Sequence, residues 1–140
     1  MTTQAAVQAF EAIIAHAEQH RDDSERRIRN PLPGQLYAQG DVNFLILANI
    51  PPQAKPSAPV RQLAPGTTRG SRHCIAEADM AGIDFFAYPD PQPLEGPVLR
   101  LDRQARIEHP EHGDHVYPAG TIVAVGYQRR YADEVRRIQD

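Results

Sequence analysis

The side chains best suited to chemistry are concentrated in His109-Pro-Glu-His-Gly-Asp-His115, where three of the six histidines and two carboxylates fall within seven residues. Neutral imidazole is the commonest protein ligand for divalent metals, and a neighbouring carboxylate either joins the coordination sphere or orients the ring. His109 and His112 stand three residues apart, a spacing that puts them on one side of a helical turn but on opposite faces of a straight strand. Pro110 disfavours a helix, so a shared metal requires a turn, for which Gly113 and Asp114 have the right chemistry. A third ligand must be remote. His73, in Gly70-Ser-Arg-His-Cys-Ile75, is the candidate, on a strand able to pair beside the His109 segment.

His73, His109 and His112 therefore form the candidate metal set, with zinc or another divalent cation as the candidate cofactor. Three protein ligands with an open fourth position would describe a catalytic centre, and Glu111 is then the candidate acid or base acting with metal-activated water. His115 and Glu77 are secondary candidates, as ligands or as hydrogen-bond partners that fix a tautomer. The plainer alternative is a histidine-rich surface turn without metal, its imidazoles bonded to backbone carbonyls or paired with Glu108, Glu111 and Asp114. Cys74 reads first as a small buried hydrophobe and second as the thiol of a Cys74–His109 pair.

The elements that must position these residues divide into an N-terminal helix, residues 1–30, and a β-rich domain, residues 31–140. Val7, Phe10, Ile13, Ile14 and Ala17 stripe one face of a helix predicted over residues 4–29, which Asn30-Pro31 ends. Its second half, from Glu18 to Arg27, is almost wholly polar, as on a solvated surface. Asp41 to Ile50 is the clearest strand, with Val42, Phe44 and Ile46 on one face and Leu45 and Leu47 making the other face apolar too. Five prolines between residues 51 and 70 predict a long loop. Further strands are predicted at His73–Ala76, Asp84–Tyr88, Val98–Leu101, Ala105–Glu108 and Thr121–Arg130, with Asp102-Arg103-Gln104 as a tight connection and a short helix in the tail from Ala132. The fold class expected is mainly β: a small antiparallel β-barrel or sandwich preceded by an N-terminal α-helix.

The net charge of −3 argues against a dedicated nucleic-acid or anionic-membrane surface. Arg129 and Arg130, in Gln128-Arg-Arg-Tyr131, are nevertheless candidate polar or phosphate contacts, although Asp133 and Glu134 stand ready to pair with them. A single cysteine and a start lacking the pattern of a signal peptide point to the cytoplasm. The longest strongly apolar run, Phe44 to Ala48, is too short to cross a bilayer.

The order Gly40-Asp-Val42, Gly66-Thr-Thr-Arg-Gly-Ser-Arg-His73, His109-Pro-Glu-His-Gly113, Pro118-Ala-Gly120 and Tyr127-Gln-Arg-Arg-Tyr131 resembles a group of small, largely uncharacterised bacterial and phage-borne β-rich proteins. Their pattern runs GDV, GxxTGHxH, HxEH, LPxG, QREY and VxD, the last met here by the terminal Arg137-Ile-Gln-Asp140, and the resemblance covers residues 38–140. It implies that His73, His109, Glu111 and His112 belong to one site. Ser71 stands where the group has its first histidine and Arg130 where it has Glu, so a metal site in this chain would lack one ligand.

Two functional classes follow, with a third behind them. The first is a small protein with a divalent-metal site; the second is a non-catalytic interaction or assembly module, acting as a homo-oligomer or in a larger complex through the polar helix and the proline-rich loop. The third is a nucleic-acid accessory protein, which the overall charge disfavours.

Overall fold

The computed structural model describes residues 25–66 and 69–128, and its secondary structure is mainly strand. Most of the expected N-terminal helix and the expected C-terminal helix lie outside these residues, as do Arg129 and Arg130. Where the helix was expected to continue, the chain is instead a strand, β1 (Glu25–Arg27), paired in parallel with β9 (Asp114–Tyr117). All three β1 residues are exposed, so a wholly charged run suits a solvated edge strand as well as a solvated helix face. Pairing decides between them. Ile28 N–H donates to Val116 O at 2.9 Å and the Ile28 side chain is buried, which anchors the segment far more firmly than the exposed Arg106–Glu25 and Arg27–Glu25 ion pairs.

The other strands are β2 (Leu36–Gln39), β3 (Val42–Leu47), β4 (Lys55–Pro56), β5 (Cys74–Ile75), β6 (Ile83–Ala87), β7 (Glu95–Leu101), β8 (Ala105–Glu108) and β10 (Ile122–Tyr127). They form a six-stranded sheet in the order β2-β3-β10-β7-β6-β4 and a four-stranded sheet in the order β1-β9-β8-β5. Neither sheet closes into a barrel. Every pairing is antiparallel except β1 with β9. The expected tight connection at Asp102-Arg103-Gln104 does not join paired strands: it carries the chain from β7 in one sheet to β8 in the other.

Both sheets contribute to one apolar core. Phe44, Leu99 and Val123 from the larger sheet meet Ile75, Ile107 and Tyr117 from the smaller one. In β3 the alternation is clean, with Val42, Phe44 and Ile46 buried and Asn43, Leu45 and Leu47 half-buried on the opposite face. β7 starts three residues earlier than its apolar run suggests, because Glu95-Gly-Pro97 pairs with β10 through a register shift between Ala124 and Gly126. Gly96 permits that close pairing, since a Cβ there would stand 2.9 Å from Val125 O. The proline-rich segment is mostly irregular, as composition predicts, but Lys55–Pro56 adds a two-residue edge strand to β6. Proline is tolerated at such an edge because the outer side of the ladder needs no donor.

Candidate functional site

The four described histidines separate into a cluster of three and one apart. His73 follows a 3-10 turn, Arg69–Ser71, and directly precedes β5; His109 follows β8; His112 lies in the turn between β8 and β9. Because β5 pairs with β8, matching Cys74 with Glu108, the two neighbouring histidines at the same end of that ladder are brought together. The His73 and His109 rings have centroids 4.2 Å apart, and His109 and His112 are 4.5 Å apart, so His109 is the middle ring of a tilted stack. His73 and His109 are buried and His112 is exposed.

A buried glutamine organises the stack. Gln39, at the end of β2, donates from Nε2 to Ile107 O at 3.0 Å and Gly113 O at 2.8 Å. Its amide hydrogens are thereby used, so Oε1 accepts, and its 2.9 Å contact with His73 Nδ1 requires a proton on that nitrogen. His73 is thus the Nδ1–H tautomer. Burial, reinforced by the neighbouring imidazoles of His109 and His112, pushes its pKa down to about 3.

His109 is fixed in the other tautomer. Its Nδ1 accepts the backbone N–H groups of Glu111 at 3.0 Å and His112 at 3.1 Å, which leaves the proton on Nε2, facing Gly70 O at 3.2 Å. Asp114 completes the turn by accepting from His109 N through Oδ1 while its other oxygen takes Arg106 Nη1 at 2.9 Å. The central imidazole therefore spends both nitrogens on main chain. Pro110 starts this turn and Gly113, with φ of 77°, ends it in a conformation that favours glycine.

His112 covers Gly40 in the β2–β3 turn. Gly40 has φ of 59°, and a Cβ built on it would stand 2.5 Å from His112 Cδ2 and 2.6 Å from Nε2. Both the backbone angle and the overlying ring call for glycine there. The sequence pair Gly40-Asp41 thus contributes to the cluster through an absent side chain.

His115 does not join the stack. It is buried in β9 against Phe44, with ring centroids 5.7 Å apart, and shares a 3.0 Å hydrogen bond between Nδ1 and the Tyr117 hydroxyl. Burial, aided by Arg26, holds its pKa near 4, and burial pushes the Tyr117 hydroxyl upward. Glu111 is exposed, and its interaction with the cluster is through its backbone N–H. Ser71, where a histidine stands in the resembling proteins, is buried in the turn ahead of His73.

Two imidazoles on one tetrahedral zinc, at the usual Zn–N distance of about 2.0–2.1 Å, stand with ring centres about 5 Å apart. The rings here are in closer, stacked contact. Among the described residues no group of three or more His, Cys, Asp or Glu side chains is arranged to hold a metal ion. An open groove of about 400 Å³ passes the cluster, lined by Arg61, Arg72, Cys74, Glu108, His109 and Asp114. Cys74 and His109 both border it, but the engagement of both His109 nitrogens leaves no basic lone pair for the thiol.

The family model described as Domain of unknown function (DUF8820) matches residues 38–126. This chain belongs to the DUF8820 family. The DUF8820 match runs from β2 to β10 and includes Gln39, Gly40, His73, His109 and His112, so the stack lies within the shared domain. No curated protein and no solved structure matches this DUF8820 chain. Of the residues that hold the site together, sequence reasoning missed Gln39, which carries no signal beyond lying directly before Gly40-Asp-Val42.

Proposed function

We propose that this DUF8820 protein is a non-catalytic interaction module, in which the imidazole stack braces the loops behind an exposed binding edge. The observation that carries this reading is the use of both His109 nitrogens by the backbone of Gly70, Glu111 and His112. An imidazole placed to bind metal or move protons needs a lone pair or a proton directed at a ligand; this one is directed at its own loops. Gln39 adds the third strand to the same brace.

The segment Lys55-Pro-Ser-Ala-Pro-Val-Arg61, every residue of which is exposed, adjoins the braced loops at its Arg61 end, where Arg61 and His109 line the same groove. It is pinned at both ends: Ser57 N–H donates to Phe85 O at 2.9 Å, and Arg61 O accepts Ile75 N–H at 2.9 Å. Pro56 and Pro59 have the Pro-x-x-Pro spacing that sets two rings on one side of a polyproline-type strand, a shape that aromatic-lined grooves recognise at low entropic cost. Arg61 ends the segment and lines the charged groove beside His109. The partner expected is a protein that reads this ridge and the adjoining charges.

A photo-reactive benzoylphenylalanine replacing Val60, introduced in the native host, tests the reading. The expected result is a discrete cross-linked partner that disappears on combining Pro56→Ala with Pro59→Ala, while the same probe at exposed Arg103 yields no such adduct. Equal labelling from positions 60 and 103 would contradict it.

The second reading is the divalent-metal site, favoured by one observation. Gln39 holds His73 Nδ1–H in the way that outer hydrogen-bond partners orient metal-bound histidines, which puts the lone pair on Nε2. For His109 to join it, the ring would have to give up its backbone bonds. In this reading zinc would be held by His73, His109 and His112 and would polarise bound water, with Glu111 as acid or base.

A further inference from the structure

The outer face of the six-stranded sheet is apolar beyond what the described chain covers. Its far half is closed, where Ala54, Phe86 and Val98 are buried with Leu47, Ile122 and Ala124 packed against them. Its near half is an open groove of about 340 Å³ with Leu36, Leu45, Ala124 and Leu94 among its lining. Leu36 is 57% and Leu94 39% exposed, two of only four large hydrophobic side chains so exposed among the described residues. The tilt toward apolar lining at this half of the face leaves a site shaped for an apolar stripe rather than for a polar ligand.

We propose that this groove is the docking site of the chain's own N-terminal segment, residues 4–17, through Val7, Phe10, Ile14 and Ala17. Three observations identify the occupant. First, these residues recur at the 3.6-residue period of an amphipathic helix, whose apolar side needs a surface to cover it. Second, the length fits: fourteen helical residues span about 21 Å, close to the roughly 20 Å of a six-residue strand such as β3 or β10.

Third, the chain enters the body at the edge of the large sheet where the groove lies, from the layer of the smaller sheet. β1 lies beside β2, the edge strand that carries Leu36: the Arg26 guanidinium sits 5.0 Å from the centre of the Tyr37 ring. Residues 18–24 can reach about 25 Å when extended, comparable with the breadth of a domain of about 100 residues. The polar stretch from Glu18 to Ser24 is then the connector around the β2 edge, and the charged side of the helix faces solvent. A second copy of the chain and an unrelated protein are the competing occupants.

The test uses the full chain with Cys74→Ser and Gln8→Cys, a nitroxide being attached at position 8, on the side of the segment away from the apolar stripe. In the ¹⁵N-labelled protein the amides of Leu36, Leu45, Leu94 and Ala124 are expected to lose most of their intensity, while those of Ile75 and Ile107 in the other sheet keep theirs. Adding Phe10→Asp should restore the broadened signals without moving the rest of the spectrum. A mixture of ¹⁵N-labelled chain without nitroxide and unlabelled chain with nitroxide should show no broadening. Broadening in that mixture would assign the groove to a second copy, and absence of selective broadening in the first sample would mean the segment does not occupy it; either result overturns the proposal.

Discussion

Gln39→Leu is expected to lower the unfolding free energy by about 3–4 kcal/mol, a large share of the roughly 5–15 kcal/mol available to a domain. The substitution fills the same space with apolar atoms but removes the partner of Gly113 O and of His73 Nδ1–H, and one donor to Ile107 O, which keeps its place in the β8–β9 ladder. Each buried polar group left unpaired costs about 1–3 kcal/mol, and relaxation of the exposed His112 turn recovers part of that. Gln39→Glu, nearly identical in shape, is expected to be worse at pH 7, because an ionised carboxylate has no hydrogen for either carbonyl. Chemical denaturation of both variants checks the order. Combining Gln39→Leu with His73→Phe should cost less than the sum of the two single changes, since each alone leaves the other residue's polar group unpaired. Strict additivity would show that Gln39 and His73 are not coupled.

Acid provides the second large effect. His73 and His115 have folded-state pKa values of about 3 and about 4, both below the ordinary 6.5 of an unfolded histidine, and burial is the main cause in each case. The sign follows from proton counts. Between pH 6.5 and about 3 the unfolded chain binds protons that the folded chain refuses, so stability is full above pH 6.5 and falls as pH drops through that window. Lowering the pH from 7 to 5 is expected to cost about 3–4 kcal/mol for the two sites together, at about 1.4 kcal/mol per site per pH unit below 6.5. Below the ordinary glutamate range Glu25 adds a loss of the same sign, since its hydrogen bonds to Arg106 and Arg27 hold its pKa down in the folded state. Urea midpoints at pH 7 and 5 measure the effect. Equal stability at the two values would mean that neither imidazole is held neutral by the fold.

The strands that carry the core were legible because burial imposes its own period. β8 has the bounds the sequence indicates, β3 and β10 lie within theirs but end earlier, at Leu47 and Tyr127, and β6 differs by a single residue at each end. β2 and β9 were not legible. Leu36-Tyr-Ala-Gln39 buries only Gln39 and exposes Leu36, the reverse of the pattern by which a strand is recognised. Asp114-His-Val-Tyr117 was hidden inside the histidine-rich run, where the turn ends at Gly113 and a largely buried strand begins. β1 was misread as the end of a helix because Glu25-Arg-Arg27 has no apolar residue to set a period; only its ladder to β9 makes it a strand.

At the site, residue types brought His73, His109 and His112 to attention, and strand pairing between β5 and β8 explains why they meet. The direction of their nitrogens was not legible. It depends on which backbone groups the turn after Pro110 presents to His109, and on a glutamine far away in sequence. His115, equally prominent in the sequence, faces the aromatic core because its place in β9 points it toward Phe44.

The most direct test of the brace is a long-range ¹H–¹⁵N spectrum of the imidazole rings at pH 7, recorded with and without equimolar zinc. The account predicts neutral His73 protonated on Nδ1 and neutral His109 protonated on Nε2, both unchanged by the metal. Joint displacement of the His73, His109 and His112 nitrogens, with zinc retained by the protein after gel filtration, would contradict it and establish the metal site in its place.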